Sequence, residues 1–180
     1  SPDYFDASKA GAVNSTLALR QPGSSLKPFT YALAFERDYT PATMILDVRT
    51  SFMTKEGNAY VPKNYDLAYH GPVLAREALG SSFNLPAVKV LDHVGVEPLA
   101  ELTSQLGITT FAGADRYGLS LTLGGGEVRL LELTTAYAAL AAGGRRVEPL
   151  AISYVADSQG NVLRRWAGGP SGQVISPQVA

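Results

Sequence analysis

Apolar residues recur at helical spacing in five segments between residues 24 and 142, and strand-forming residues are concentrated towards the C-terminal end of the chain. The helical pattern predicts helices over residues 24–36, 72–79, 85–94, 97–106 and 127–142. The segments 150–155 and 161–166 flank a turn-like Asp-Ser-Gln-Gly run and predict a small β-hairpin. Residues 1–23 are irregular, with room for one short strand, and residues 38–71 show no sustained period. The pattern therefore predicts a predominantly helical α+β fold with a long extended excursion after the first helix.

The segment 127–142 is the most apolar part of the chain. Its apolar residues lie on nearly all sides of a helix, so we predict a buried central helix. Glu127 would complement the positive end of this helix, Gly143 would help to end it, and the glycines at 124–126 would form a turn before it. No linker or repeat divides the 180 residues, so they are predicted to form one domain.

The composition excludes several classes of function. The chain has 46% hydrophobic and 17% charged residues and a net charge of -1, which offers no electrostatic basis for binding nucleic acid or an anionic membrane surface. It has no cysteine, which excludes disulfides and thiol catalysis. No segment resembles a signal peptide or a membrane-spanning helix. His70 and His93 lie far apart in the sequence, so neither a metal site nor a cofactor is predicted.

A Ser-x-x-Lys pattern, formed by Ser24 and Lys27, opens the first predicted helix. Serine suits the first position of a helix, and Pro28 is tolerated in the first turn. The three-residue spacing places the hydroxyl and the amine on one face of the helix. A lysine of lowered pKa can take the proton of a serine nucleophile, and free N–H groups at a helix start can stabilise an oxyanion. The alternative is a capping serine followed by a lysine that reaches solvent.

A second pair of polar residues, Ser82 and Asn84, lies on a short connection between two predicted helices. Two residues apart on such a loop, a hydroxyl and an amide can point the same way. The serine could then relay a proton, and the asparagine could orient a partner by hydrogen bonding. The alternative is that this pair only caps the helix that follows.

Together, the Ser-x-x-Lys and Ser-x-Asn motifs resemble those of the penicilloyl-serine transferase superfamily, which includes β-lactamases and penicillin-binding proteins. Longer segments resemble the transpeptidase domain of class A penicillin-binding proteins, particularly of the 1C type. These segments are Ser-Pro-Asp-Tyr-Phe-Asp at 1–6, Arg-Gln-Pro-Gly-Ser at 20–24, Pro-Lys-Asn-Tyr-Asp at 62–66, Ala-Leu-Gly-Ser-Ser-Phe-Asn-Leu-Pro-Ala-Val at 78–88 and Tyr-Gly-Leu-Ser-Leu-Thr-Leu-Gly-Gly at 117–125.

The resemblance implies an acyltransferase that cross-links peptidoglycan stem peptides. Ser24 would be the nucleophile, which β-lactam antibiotics would also acylate, Lys27 would be its base, and Ser82 would relay the proton. Asn84 would bind the substrate amide and help to fix Lys27. The Ser24 N–H would form half of an oxyanion hole. The parent protein would be anchored at the outer (periplasmic) face of the bacterial cytoplasmic membrane, with a glycosyltransferase domain in the same chain.

One family motif is not found in the chain. The family places Lys-Thr-Gly or a close variant on a strand after the Ser-x-Asn loop, and no lysine of this sequence begins such a triplet. We therefore expect residues 1–180 to be a partial penicillin-binding transpeptidase domain. Its fold would be β-lactamase/transpeptidase-like, truncated so that most of the central antiparallel sheet is missing. Such a fragment would be soluble, would have little or no activity and would expose an apolar face through which it could self-associate.

Three other functions stay open. A β-lactam sensor uses the same motifs to trap the drug without turnover, although the segments at 62–66 and 117–125 favour the transpeptidase. A serine β-lactamase is disfavoured, because no acidic residue is clearly placed to activate a deacylating water. A non-catalytic helical interaction module would need neither motif, and Ser24→Ala would then cost only a capping contribution of about 1 kcal/mol.

Overall fold

The computed structural model describes residues 3–111, 113, 116–166, 168 and 172–180. The α-helices are α1 (Lys27–Phe35), α2 (Ala75–Gly80), α3 (Asn84–Val94), α4 (Val96–Gln105) and α5 (Leu130–Ala141). The strands are β1 (Leu19–Arg20), β2 (Met44–Asp47), β3 (Phe52–Met53), β4 (Ala59–Tyr60), β5 (Gly71–Leu74), β6 (Val128–Arg129), β7 (Tyr154–Ala156) and β8 (Val162–Arg165). Short 3-10 helices cover Ala7–Lys9, Gly23–Leu26 and Leu119–Leu123.

The strands form small antiparallel pairs, in which β1 pairs with β6, β2 with β5, β3 with β4 and β7 with β8. The β2–β5 pair sets Asp47 opposite Gly71. Because successive side chains of a strand point to opposite faces, Ile45 and Asp47 are buried whereas Met44 and Leu46 are exposed. This register carries the carboxyl group of Asp47 into the interior.

The core forms around α1, which packs against α3 and α4. The 3-10 helix Leu119–Leu123 packs against both α3 and the 3-10 turn Gly23–Leu26. Burying a large apolar side chain contributes about 1.5–3 kcal/mol, so these contacts hold the start of α1 in place against the start of α3. Fully buried apolar side chains of these elements and of the residues beside them are Leu26, Phe29, Tyr31, Leu85, Leu91, Leu99, Leu106 and Leu121.

The first helix begins differently from the prediction. One helix is predicted over 24–36, but Gly23–Leu26 forms a 3-10 turn and the α-helix starts only at Lys27. Pro28 accounts for the break, because it has no N–H to donate to the carbonyl group of Ser24. Ser24 therefore lies inside the 3-10 turn and is the N-cap of neither helix, so its interpretation as a cap is wrong.

The region between α1 and α2 contains more structure than predicted. Strands β2, β3 and β4 lie within the supposed excursion at 38–71, and β5 occupies the first residues of the helix predicted over 72–79. That helix starts at Ala75, where the N–H of Leu74 donates to Glu77 Oε2 at 3.0 Å. Strands of two to four residues have too few positions to show an alternating period, so the sequence pattern does not reveal them.

The C-terminal hairpin is confirmed, since β7 and β8 overlap the predicted segments 150–155 and 161–166. The helices predicted over 85–94 and 97–106 are confirmed to within one residue at each end. The prediction of one small hairpin was incomplete, because the described residues also form the pairs β1–β6, β2–β5 and β3–β4. The fold is therefore a mixed α/β arrangement with small sheets.

The helix predicted over 127–142 is shorter at its start. Strand β6 comes first, so the acidic residue in the first turn of α5 is Glu132 and not Glu127. The predicted end is confirmed, because α5 stops at Ala141 and Gly143 follows with a φ of 65°. In that left-handed region glycine has no steric penalty, and the chain can turn away from the helix axis.

Helix α5 is much more exposed than predicted. Its buried side chains are Ala136 and Ala139, whereas Leu130 is 54% and Tyr137 is 37% exposed. Leu133 and Leu140 are partly buried against the core, and Tyr137 packs edge-on against Phe29 with the ring centroids 5.1 Å apart. Leu130 and Leu131 stay exposed. The prediction of a buried central helix is therefore wrong, because part of its apolar surface is exposed.

Candidate active site

The buried amine of Lys27 joins the two sequence motifs. Lys27 is the first residue of α1 and is 1% exposed. Its Nζ donates to the carbonyl oxygen of Ser82 at 2.6 Å, to Ser82 Oγ at 3.2 Å and to Asn84 Oδ1 at 2.7 Å. The structure thus brings together three of the four residues predicted to form the site.

Burial lowers the pKa of Lys27 from 10.5 to about 8. The three acceptors around its Nζ are a carbonyl, a hydroxyl and an amide oxygen, and none of these groups carries a charge that would favour the ammonium form. A substantial fraction of the amine is therefore neutral near pH 8 and can accept a proton. The alternative in which Lys27 reaches solvent is wrong.

The adjacent serines Ser24 and Ser25 have different surroundings. The Ser25 hydroxyl donates to the carbonyl oxygen of Pro22 at 2.6 Å. Ser24 is exposed, and its hydroxyl has no hydrogen-bond partner in the described part of the chain. The N–H of Lys27 donates to the Ser24 carbonyl oxygen and closes the 3-10 turn. Ser24 therefore offers a free hydroxyl one turn before the Lys27 amine, and the hydroxyl of Ser25 is held by the scaffold.

Two glycines allow the turn that carries Ser24 to pack closely. Gly23 has a φ of 58° and Gly124 has a φ of 85°, both in the left-handed region. A Cβ atom added to Gly124 would lie 2.2 Å from the backbone nitrogen of Gly23. The sequence predicts only a turn at 124–126. The structure shows that Gly124 also lets the backbone after Leu119–Leu123 approach the Ser24 turn.

An uncommon backbone conformation presents Ser82 and Asn84. Ser82 has a φ of 55°, a region that costs a non-glycine residue on the order of 1 kcal/mol or more. The N–H groups of Asn84 and Leu85 donate to Asn64 Oδ1 at 2.8 and 3.1 Å. The N-cap residue of α3 is Phe83, which makes no side-chain capping bond. The start of α3 is therefore capped by Asn64, and the alternative that Ser82 and Asn84 serve only as caps is wrong.

Asn64 is the part of the site that sequence reasoning missed. It is 2% exposed, and its Nδ2 donates to Asp47 Oδ2 at 2.8 Å and to the Ala68 carbonyl oxygen at 2.9 Å. Its neighbour Lys63 supplies a carbonyl oxygen that accepts from Asn84 Nδ2 at 2.9 Å. An amide side chain in an irregular segment follows no period, so the one available signal was the family-like run at 62–66.

The two histidines pair with carboxylates, His70 with Asp47 and Asp66 and His93 with Asp38. The described ranges contain no group of three or more His, Asp or Glu side chains that could hold a metal ion. None of the helices in these ranges has both the length and the apolar character needed to span a bilayer.

Comparisons with known proteins show the family of the chain. The family model "Penicillin binding protein transpeptidase domain" matches residues 6–180. The chain belongs to the transpeptidase domains of penicillin-binding proteins, and its relatives are of class A, so the predicted family is confirmed.

Individual relatives share about a third of the residues. Penicillin-binding protein 2D from Bacillus subtilis is 38% identical over 160 residues, covering 88% of this chain and 23% of that protein. Penicillin-binding protein 1C from Escherichia coli is 37% identical over 155 residues, covering 83% of this chain and 20% of that protein. The crystal structure of penicillin-binding protein 1A from Haemophilus influenzae matches with a TM-score of 0.78 and 30% identity, covering 90% of this chain and 24% of that chain. The chain thus spans a quarter or less of the length of these relatives.

Proposed function

We propose that residues 1–180 are part of a peptidoglycan D,D-transpeptidase domain in which Ser24 is the nucleophile and Lys27 its base. One observation carries this proposal: a buried lysine with a pKa of about 8 lies one turn after a free serine hydroxyl. The same amine is bonded to Ser82 and Asn84, the residues of the second motif. The proposed substrate is a stem peptide that ends in D-Ala-D-Ala, as the resemblance to this family implies.

In the proposed first step, neutral Lys27 takes the proton of Ser24 as Oγ attacks the carbonyl carbon of the penultimate D-alanine. The bond from this carbon to the nitrogen of the terminal D-alanine then breaks. The leaving amine receives its proton through Ser82, whose Oγ lies 3.2 Å from Lys27 Nζ. An amine of a second peptidoglycan strand then attacks the ester, and Ser24 regains its proton. Two transfers replace one difficult step.

Asn84 has two proposed tasks, and its present contacts favour one of them. Its Oδ1 accepts from Lys27 Nζ, which directly supports the task of fixing the amine. Its Nδ2 is occupied by the Lys63 carbonyl oxygen, so a substrate amide that accepted from this group would have to replace that bond. The Ser24 N–H is proposed as one oxyanion donor, a type of group whose loss costs about 100-fold or more in rate.

The remaining assignments belong to the whole protein. β-Lactams would acylate Ser24, and a glycosyltransferase domain in the same protein would make the glycan strands. The protein would be anchored at the periplasmic face of the cytoplasmic membrane. Because the sequence contains no Lys-Thr-Gly triplet, we propose that these 180 residues alone have little or no transpeptidase activity. The exposed apolar surface of α5, including Leu130 and Leu131, is proposed as a surface for self-association.

The test is the intact mass of the chain after incubation with a fluorescent penicillin. We expect a single adduct on the wild type and on Ser25→Ala, and none on Ser24→Ala. Ser25→Ala is the matched control because the two serines are adjacent and only the hydroxyl of Ser25 is bonded to the scaffold. An adduct that persists in Ser24→Ala would overturn the assignment. A folded wild type without any adduct would mean that acylation needs the Lys-Thr-Gly strand, and the test would move to a longer chain.

A further inference from the structure

A second polar network lies beneath the Ser82–Asn84 loop and centres on Asp47. This residue of β2 is fully buried, and its Oδ2 accepts from Asn64 Nδ2 at 2.8 Å and from the His70 N–H at 3.0 Å, with His70 Nδ1 2.6 Å away. Its Oδ1 has no partner among the described residues. A buried carboxylate is costly without a counter-charge, and the imidazole of His70 can supply one when it is protonated.

The His70 ring is held on three sides. Its Nδ1 faces Asp47, its Nε2 lies 3.0 Å from Asp66 Oδ2, and its face stacks on Phe83 with the ring centroids 3.9 Å apart and the planes at 13°. The charged groups that face the ring are thus the carboxylates of Asp47, from β2, and Asp66, from the same loop, while the α2–α3 connection contributes an uncharged ring. The hydrogen bond with Asp47 raises the pKa of His70, and the nearby charge of Asp66 acts in the same direction.

This network reaches the active-site loop by two routes. Phe83, the stacking partner, stands between Ser82 and Asn84 in the chain. Asp47 holds Asn64, whose Oδ1 accepts the N–H groups at the start of α3. Both routes end at the loop that supplies all three acceptors of the Lys27 amine.

We propose that His70 is a positioning residue for the Lys27 amine. Clamped between two carboxylates, it fixes Phe83 directly and Asn64 through Asp47. These contacts keep the Ser82–Asn84 loop packed against the Lys27 amine. The inference rests on the proposed role of Lys27 as the base for Ser24.

Loss of the His70 contacts should change the pH dependence of Ser24 acylation, which a smaller amount of folded protein would not do. If the loop loosens, water reaches the Lys27 amine. Because burial is what lowers the pKa of Lys27, renewed hydration raises it again. The rising limb of the pH profile for Ser24 acylation should then move to higher pH. A smaller amount of folded protein would lower the whole profile without moving it.

The other histidine of the chain provides a matched control. His93 also pairs with a carboxylate, Asp38, at 2.9 Å, and it also stacks on an aromatic ring, Tyr39, at a centroid distance of 4.8 Å. It lies in the last turn of α3, at the end opposite Asn84. His93→Ala therefore removes a similar pair and a similar stack without touching the loop.

The first measurement is hydrogen exchange of the Asn84 and Leu85 amides by NMR, which needs no acylation. We expect His70→Ala to accelerate exchange at these amides by about tenfold or more, because local opening becomes easier. His70→Asn, which can still donate to Asp47, should restore most of the protection, and His93→Ala should change nothing. In the wild type, both amide signals should shift as His70 titrates. Unchanged exchange in His70→Ala, or amide signals indifferent to the His70 titration, would overturn the proposal.

The second measurement is the rate of acylation by the fluorescent penicillin as a function of pH. We expect His70→Ala to move the rising limb upward from pH 8 and to slow acylation by up to about 100-fold, as misplacement of a reacting group can. His93→Ala should leave the limb in place, and an unmoved limb in His70→Ala would count against positioning. If the folded wild type is not acylated at all, acylation needs the Lys-Thr-Gly strand, and the amide exchange by itself decides the role of His70.

Discussion

The stability of the protein should depend on pH through the Lys27 amine. The pKa of this amine is about 8 in the folded chain against an ordinary value of 10.5. Because the folded pKa is the lower one, the unfolded chain binds more protons between pH 8 and 10.5, and the free energy of unfolding rises with pH over that window. A pKa unit corresponds to about 1.4 kcal/mol, so burial of the charged amine costs the fold about 3 kcal/mol at neutral pH.

The perturbation that isolates this cost is Lys27→Met, which keeps an unbranched side chain and removes the amine. Urea unfolding of both proteins would be measured at several values between pH 7 and 10.5. The two chains share every other titrating group, so subtracting the stability of the variant from that of the wild type leaves the Lys27 contribution. We expect this difference to grow by about 3 kcal/mol from pH 7 to 10.5.

The result that refutes the reasoning is a constant difference between the two stability curves. It would mean that the Lys27 amine keeps its ordinary pKa in the fold and is not a base near neutral pH. The same pKa should control the acylation rate. In the wild type, the rate of Ser24 acylation should rise through pH 8. A rate that rises only towards pH 10.5 would contradict the proposed base in the same way.

Two further substitutions test the scaffold of the site. Asn64→Ala removes the acceptor for two N–H groups of α3 and one donor to buried Asp47; we expect urea unfolding to show a loss of about 3 kcal/mol, from a lost cap and an unpaired buried group. A loss below about 0.5 kcal/mol, the low end for a cap, would contradict the capping role. Gly124→Ala drives a Cβ atom against Gly23, so we expect slower acylation of Ser24 and a stability loss of about 1–3 kcal/mol. Gly160→Ala is its control, with a similar φ of 87° and no atom near the added Cβ; equal losses in both variants would show that the clash is unimportant.

Local chemistry and motif spacing are enough to predict several parts of the protein. The ends of α3 and α4 follow from nearby apolar periodicity and glycines, and they agree with the structure to within one residue. Motif spacing points to Lys27, Ser82 and Asn84, which the structure brings into hydrogen-bond contact. The family followed from the same residues and from the longer matching runs, because such runs are too specific to arise from composition.

Contacts between residues far apart in the sequence determine which groups support the candidate site. The hydroxyl of Ser25 is bonded and that of Ser24 is free because of how the 3-10 turn folds, which no spacing rule predicts. Asn64 caps a helix that lies 20 residues further along the chain. The sequence pattern marked Asn64 only as one residue of an irregular segment.

The same limit explains the errors about burial. Periodicity reports which faces of α5 are apolar, and it cannot report which of them find a neighbour. Ala136 is buried against the core, while Leu130 on the same helix is 54% exposed. Likewise, Asp47 can bond to Asn64 because the pairing of β2 with β5 turns its carboxylate inward. Local sequence sets the preferences of each segment, and the long-range contacts decide which side chains leave water and which groups they meet there.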